Sequence, residues 1–221
     1  MPDYGSPTTG SGSGRIRKRL ETLLFNQILG AVRGGVDVIQ IRERDLDAGV
    51  LAAFVRRCGA AIAGSSARVV VNDRLDIALV TGAAGVHLRE DSIPTLTARR
   101  LLGDASFIGR SVHSAHGASL AGEVDYLIAG SVFETTSKPG VTSRLGLDGL
   151  QTVVKRAAPR PVWAVGGMTA NRLAEVTRVG AQGMAAIGAF IPSCAPSLLK
   201  ATVQRMTTEL RFCFDSSDGV P

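Results

Sequence analysis

RVVVNDRLDIALVTGAAGVHL, residues 68–88, places a strand, a short helix and a second strand in immediate succession. RVVVND is apolar on both faces and rich in β-branched residues, RLDIALVTG reads as a short helix, and GVHL is again an apolar strand. Strands of this kind have to be covered on both sides, as in a parallel sheet flanked by helices. The same alternation extends outward. Upstream lie a helix from Ile16 with apolar positions at Leu20, Leu23, Leu24, Ile28, Leu29 and Val32, the strand VDVIQIRE (36–43) and the helix LDAGVLAAFVRRCGAAIA. Downstream the strands are SFIGRSV (106–112), DYLIAGSV (125–132), PVWAVGG (161–167) and GMAAIGAF (183–190). Helical patterns separate them, and PSLLKATVQRMTTEL follows the last.

Strict strand–helix alternation over nearly the whole chain predicts a parallel α/β sheet. Seven strands are readable, and an eighth before the helix at 16–33 would close a (β/α)8 TIM barrel. Nothing in MPDYGSPTTGSGSG reads as a buried strand, so the first strand is not evident and an open doubly wound sheet is the alternative. The organisation expected is a flexible tail over 1–14, rich in Gly, Ser, Thr and Pro, a single barrel domain over 15–210 and a C-terminal tail over 211–221.

Bulk composition narrows the function classes. The 221 residues are 45% hydrophobic and 20% charged, ordinary for a globular domain with a full core. No uninterrupted apolar run is long enough for a membrane span, and no apolar segment follows the N-terminal charges as a secretory signal requires. The three cysteines, Cys58, Cys194 and Cys213, are widely spaced and form no CxxC pair, which points to the reducing cytoplasm and away from a zinc site. The formal charge of +6 is spread over helices apart from Arg15, Arg17, Lys18 and Arg19. Aromatics make up only 5% and none interleaves with basic residues, so a nucleic-acid platform is not indicated. Small anionic substrates account for the charge.

In a parallel barrel the chemistry sits at the C-terminal ends of the strands. There the chain places Gln40, Arg42 and Arg44, then Asn72-Asp73, His87, Ser111 with His113, the segment 131–138, Gly166-Gly167 and Ile187-Gly188. Gln40, Arg42 and Arg44 alternate and would project to one side of their strand. Two guanidiniums and an amide suit a diphosphate; the competing reading is a salt-bridged strand end with Glu43 and Asp45. Asp73 and Asp91, from neighbouring loops, could hold Mg²⁺, although Asp73 also stands where a helix cap belongs. In SVFETTSKPG (131–140), Thr135, Ser137 and Lys138 read as an anion-binding segment or as a polar turn before Pro139-Gly140. Gly166-Gly167 and Gly188 let backbone N–H groups approach a phosphate. His87 and His113 read as satisfied structural residues rather than general bases, and no Ser-His-Asp arrangement or partnered cysteine nucleophile is visible.

These motifs, IQIRERD, VNDRLDIAL, GVHL, IGRSVHS, DYLIAGSVFETTSKPG and PVWAVGGM, in this order resemble the thiamine-phosphate synthase family, which includes the TenI-like thiazole tautomerases. The resemblance runs from about Gly35 to about Phe190. It implies a (β/α)8 barrel that takes phosphorylated thiamine precursors, with a homo-oligomer allowed. For the synthase branch it implies transfer of hydroxymethylpyrimidine from its diphosphate to thiazole phosphate, with Mg²⁺ as cofactor. Gln40, Arg42 and Arg44 match the diphosphate motif, with Arg44 where the family has lysine. Asn72 and Asp73 match its Asn-Asp pair, and Asp91 its second Mg²⁺ ligand, in a segment, HLRED, one residue short of the usual pattern. Ser111 and Lys138 match catalytic positions, and Thr135 and Ser137 match substrate hydroxyls. Gly167, Ile187 and Gly188 match the thiazole-phosphate end, with Gly188 where serine is usual. For the tautomerase branch the resemblance implies an acid–base histidine at the position of Ser131, a residue unable to shuttle protons near neutrality. A binding paralogue without turnover is the third alternative.

Overall fold

A computed structural model describes residues 11–135 and 144–217, with side chains over 19–135 and 144–216. Seven strands form one sheet: β1 (Val38–Ile41), β2 (Arg68–Asn72), β3 (Gly85–Leu88), β4 (Phe107–Val112), β5 (Tyr126–Gly130), β6 (Val162–Val165) and β7 (Met184–Ala185). Among the described residues eight helices accompany them: α1 (Ser11–Arg33), α2 (Ala48–Ala61), α3 (Leu75–Thr81), α4 (Thr95–Leu102), α5 (Ala115–Leu120), α6 (Gly146–Ala157), α7 (Ala170–Arg178) and α8 (Leu199–Ser217). A short 3-10 turn, Gly188–Phe190, follows β7.

Every strand pairs in parallel with its sequence neighbour, in the order β1-β2-β3-β4-β5-β6-β7. A doubly wound sheet reverses its strand order at a switch point; this one never reverses, which sets that alternative aside. The sheet curls as a barrel wall that stays open between β1 and β7 among the described residues, so the eighth strand of the expected closed barrel is not seen. No described helix is long and apolar enough to cross a membrane.

The period of two divides each strand between two environments. Val69 and Val71 of β2 pack with Leu51, Phe54 and Val55 of α2. Val86, Leu88, Ile108, Val112, Leu127, Ala129, Val162 and Ala164 form the main core with Leu150 and Val153 of α6 and Leu173 and Val176 of α7. The alternate residues face the hollow of the sheet. Register places Asn72 opposite His87, His87 opposite Gly109, Gly109 opposite Tyr126 and Ile128 opposite Trp163.

An aromatic layer fills the hollow. The Tyr126 ring stacks on Trp163 at 4.2 Å and on Phe107 at 4.7 Å. It also lies over Gly109, where a Cβ atom would stand 2.0 Å from the tyrosine Cζ. Alanine at 109 would therefore push the ring off its stack. Gly109→Ala is expected to cost about 1–3 kcal/mol of stability, read from urea denaturation.

The ends of the chain are clasped together. Ala31 of α1 packs with Leu199 and Val203 of α8, flanked by Leu23, Val36, Ile39 and Phe190. The Arg211 guanidinium reaches back to Asp37 at 2.9 Å.

Helix α1 starts at Ser11 and absorbs the last four residues of the expected N-terminal tail. Glycine and serine are weak helix formers, but extending an existing helix adds a hydrogen bond for each residue fixed. Residues 211–217, expected as a tail, continue α8 because Cys213 and Phe214 pack on the main core. GMAAIGAF, read as a full strand, pairs only at Met184–Ala185, where β6 is its sole neighbour among the described residues.

Candidate active site

The strand β1 stops at Ile41, so Arg42 and Arg44 extend from the loop that follows it rather than from the strand itself. They are nonetheless brought together. Arg42, Glu43, Arg44, Asn72, Asp73, Arg74 and Arg89 line one cleft of about 180 Å³ at the C-terminal ends of β1, β2 and β3. Sites that enclose a whole small molecule run to about 300–1,000 Å³, so this cleft suits the anionic end of one. Arg74 is committed to Asp76 through two hydrogen bonds, 2.8 and 2.6 Å. Partial loss of solvent in the cleft, then the adjacent Arg44 and Arg89 guanidiniums, lower the Arg42 pKa from its ordinary value. Three crowded guanidiniums form a field that an incoming anion relieves. A larger hollow of about 370 Å³, bordered by Glu21, Phe54 and Arg57, lies between α1 and α2, away from the strand ends.

Asp73 does not cap α3, whose N-cap position is Arg74 and carries no side-chain cap bond. Its backbone is left-handed, φ 61°, a conformation asparagine and aspartate tolerate better than most residues. The main chain there is fixed by Asp73 N–H donating to His87 O at 2.9 Å, and the carboxylate turns toward the loop after β3. Ser92 Oγ donates to Asp73 Oδ1. Arg89 Nε lies 3.2 Å from Asp73 Oδ2 and 3.1 Å from Asp91 Oδ1. Arg89 Nη2 donates to Asp91 Oδ2 at 3.2 Å.

The two carboxylates read as Mg²⁺ ligands therefore meet, but on a guanidinium, with all four oxygens engaged. No group of three or more His, Cys, Asp or Glu side chains able to hold a metal occurs among the described residues. A divalent ion about 4 Å from this guanidinium would be repelled by roughly 8 kcal/mol at an effective dielectric near 20. As arranged, the pair fits an arginine and not a metal. Arg89 escaped the sequence reading although it too follows a strand end; the missing residue in HLRED was the signal that could have found it.

Ser111, on β4, is held from inside the sheet. His87 Nε2 lies 2.9 Å from Ser111 Oγ, and His87 Nδ1 lies 3.2 Å from Tyr126 Oη. His87 is 2% exposed, and burial, followed by Arg110 and Arg42, lowers its pKa to about 4. At neutral pH the ring is uncharged, with one nitrogen donating and the other accepting. It is thus the satisfied structural histidine that its setting in an apolar strand suggested. Because the unfolded chain binds the proton near 6.5, stability is complete above that pH and falls as pH drops from 6.5 toward 4. The loss approaches about 3 kcal/mol. A urea titration series across this window is expected to show the slope, and His87→Gln is expected to flatten it.

On the far side of the opening, the chain after β5 follows β6. Val132 N–H donates to Val165 O at 2.8 Å and Phe133 N–H to Gly166 O at 3.1 Å. Gly166 and Gly167 are left-handed, φ 100° and 65°. A Cβ at Gly167 would stand 2.3 Å from Glu134 O, so only glycine lets the two loops meet. Arg172 closes this loop by stacking over Phe133 at 4.5 Å. Ser131 lies against Gly166 here, and His113 Nδ1 contacts the neighbouring Gly130 O. Thr135 is half-buried at the end of this segment; Ser137 and Lys138 lie outside the described residues. Ile187 is exposed, and the space beside Gly188 is open. Gln40 belongs to β1 but does not line the arginine cleft.

A curled parallel sheet with a guanidinium-lined cleft at its C-terminal rim and a glycine loop after β6 defines a TIM-barrel-like α/β protein. Structural likeness agrees with that class: a 3-hexulose-6-phosphate synthase superposes with a TM-score of 0.59 at 18% identity, over 84% of this chain and 94% of the other. The particular lineage is closer than that. The chain belongs to the thiamine monophosphate synthase family, whose sequence profile matches residues 14–190. A putative thiamine-phosphate synthase of Geobacter sulfurreducens is 39% identical over 78% of this chain and 82% of its own length. The thiamine-phosphate synthase of Moorella thermoacetica is 34% identical over 92% of this chain and 94% of its own. The thiamine phosphate pyrophosphorylase of Pyrococcus furiosus superposes with a TM-score of 0.73 at 29% identity, over 88% of this chain and 91% of that structure.

Proposed function

We propose that this protein is a thiamine-phosphate synthase, a transferase that joins hydroxymethylpyrimidine diphosphate to thiazole phosphate and releases diphosphate. The observation that carries the reading is the cleft where Arg42, Arg44 and Asn72 meet at the strand ends, in a chain of this family. Arginine forks bind phosphate oxygens in pairs, and the diphosphate is the group on which negative charge grows as the bond breaks. The C–O bond between the pyrimidine methylene and the diphosphate parts with its electron pair on the leaving oxygen. The thiazole nitrogen then gives its lone pair to the methylene carbon, forming the C–N bond. No proton has to be moved and no protein nucleophile takes part, in keeping with the neutral state of His87.

Arg42 and Arg44 hold the departing diphosphate, with Lys138, Thr135 and Ser137 assigned to it from the motif. Ser111, fixed by His87, is assigned to the pyrimidine side. The Gly166-Gly167 loop, with Ile187 and the open space beside Gly188 beyond it, is assigned to the thiazole phosphate from the motif. The magnesium expected from the resemblance has no step here, because Arg89 stands between Asp73 and Asp91. A cytoplasmic setting belongs to the same reading, with Cys58, Cys194 and Cys213 all free thiols. The tautomerase alternative gains no support at Ser131, whose hydroxyl does not titrate near neutrality.

The test is to incubate the purified protein with both precursors in magnesium-containing buffer and look for thiamine phosphate, with Lys138→Ala alongside. Product that is lost in the variant supports the reading. Folded protein that forms none overturns it.

A further inference from the structure

Arg89 is fixed more firmly than a surface side chain with one partner. Its guanidinium spans Asp73 and Asp91. Its own N–H donates to Ser92 Oγ at 3.2 Å, and its carbonyl accepts from Ser92 N–H at 3.2 Å. The same Ser92 hydroxyl donates to Asp73, so arginine, serine and aspartate close one small ring of bonds. The turn is held from behind by the buried Arg110, whose Nη2 donates to Ile93 O. Arg89 also lines the cleft shared by Arg42 and Arg44 and is close enough to Arg42 for their charges to repel. An anion seated on Arg42 and Arg44 therefore lies beside Arg89 as well.

We propose that Arg89 is a built-in cation, seated between Asp73 and Asp91 where a divalent ion would otherwise bridge them, and that this cleft binds diphosphate without a metal. The inference rests on the reading of the cleft as a diphosphate site. It goes beyond that reading by assigning the bridging charge to a side chain, and it makes Asp73 and Asp91 positioning residues for Arg89 rather than metal ligands.

Calorimetric titration with inorganic diphosphate, in EDTA and in excess Mg²⁺, tests it on the full chain. The wild-type dissociation constants in the two buffers are expected to agree within about threefold, and Mg²⁺ alone is expected to leave the melting temperature unchanged. Arg89→Gln frees the carboxylates. In EDTA that variant is expected to bind diphosphate about 10–100-fold more weakly, and Mg²⁺ is expected both to restore binding and to raise its melting temperature. Wild-type binding that disappears in EDTA and returns with Mg²⁺ overturns the proposal, as does the absence of binding in both buffers. Asp91→Asn, at an exposed position, supplies a second variant should Arg89→Gln not fold; it is expected to weaken metal-free binding, and wild-type affinity there counts against the proposal. Metal-free binding of diphosphate by a protein that forms no thiamine phosphate would sink the synthase reading and leave this one standing.

Discussion

Alanine in place of Arg42 is expected to lower kcat/KM for thiamine phosphate formation by about 10²–10³-fold, the loss typical of one well-aimed donor to a developing anion. Stability should barely move. Arg42 is an exposed side chain crowded by Arg44 and Arg89, so its removal relieves repulsion and takes little from the core. The stability change is expected within about 0.5 kcal/mol. Arg42→Lys separates charge from shape. It keeps the positive charge but loses the fork that grips two oxygens, and is expected to fall between wild type and alanine. Steady-state kinetics with urea denaturation of the same samples checks all three points. A full-activity alanine variant would remove Arg42 from the site, and an unfolded one would show that its role is structural.

The largest effect on stability is expected at Tyr126. Its ring is 1% exposed, stacked between Phe107 and Trp163 and bonded through its hydroxyl to His87. Tyr126→Ala is expected to cost about 3–5 kcal/mol, since the sheet around it cannot collapse onto the void. Tyr126→Phe keeps the stack and leaves His87 Nδ1 without its partner, for about 1 kcal/mol. The Gly109→Ala penalty arises from the tyrosine ring, so it should vanish or change sign when Tyr126 is already alanine. That amounts to a coupling of about 1–3 kcal/mol. Urea denaturation of the four-protein cycle measures it. Additive costs would show that Gly109 is required for some reason other than the ring above it.

Strand order and the division into core and hollow were legible because alternation and short apolar runs are enforced by burial on both sides. Val69, Val71, Val86 and Leu88 leave no polar choice open. The rim was legible as a set of residues but not as geometry. Arg42 and Arg44 were expected on the strand itself, yet β1 ends at Ile41, and only tertiary packing brings them beside Asn72 and Asp73. Asp73 was read as a cap or a metal ligand. Neither reading included its partner: the shortened HLRED marks the place, but Arg89 meets Asp73 through a left-handed turn that the residue pattern alone does not show. The inner layer was the least legible. Tyr126, Phe107 and Trp163 lie far apart in sequence and meet only through strand register.

The clasp between the two ends of the chain bears on how the protein comes off the ribosome. Each strand pairs with its immediate neighbour, so the sheet can grow one unit at a time as it emerges. The exception is α1. It is made before the sheet, yet the surface around Ala31 is covered by Leu199 and Val203, and Asp37 waits 174 residues for Arg211. Closing so long a loop brings no contact until α8 has been made. The nascent chain therefore carries one apolar helix face uncovered while all seven strands are being made, a face open to any chaperone that recognises such surfaces.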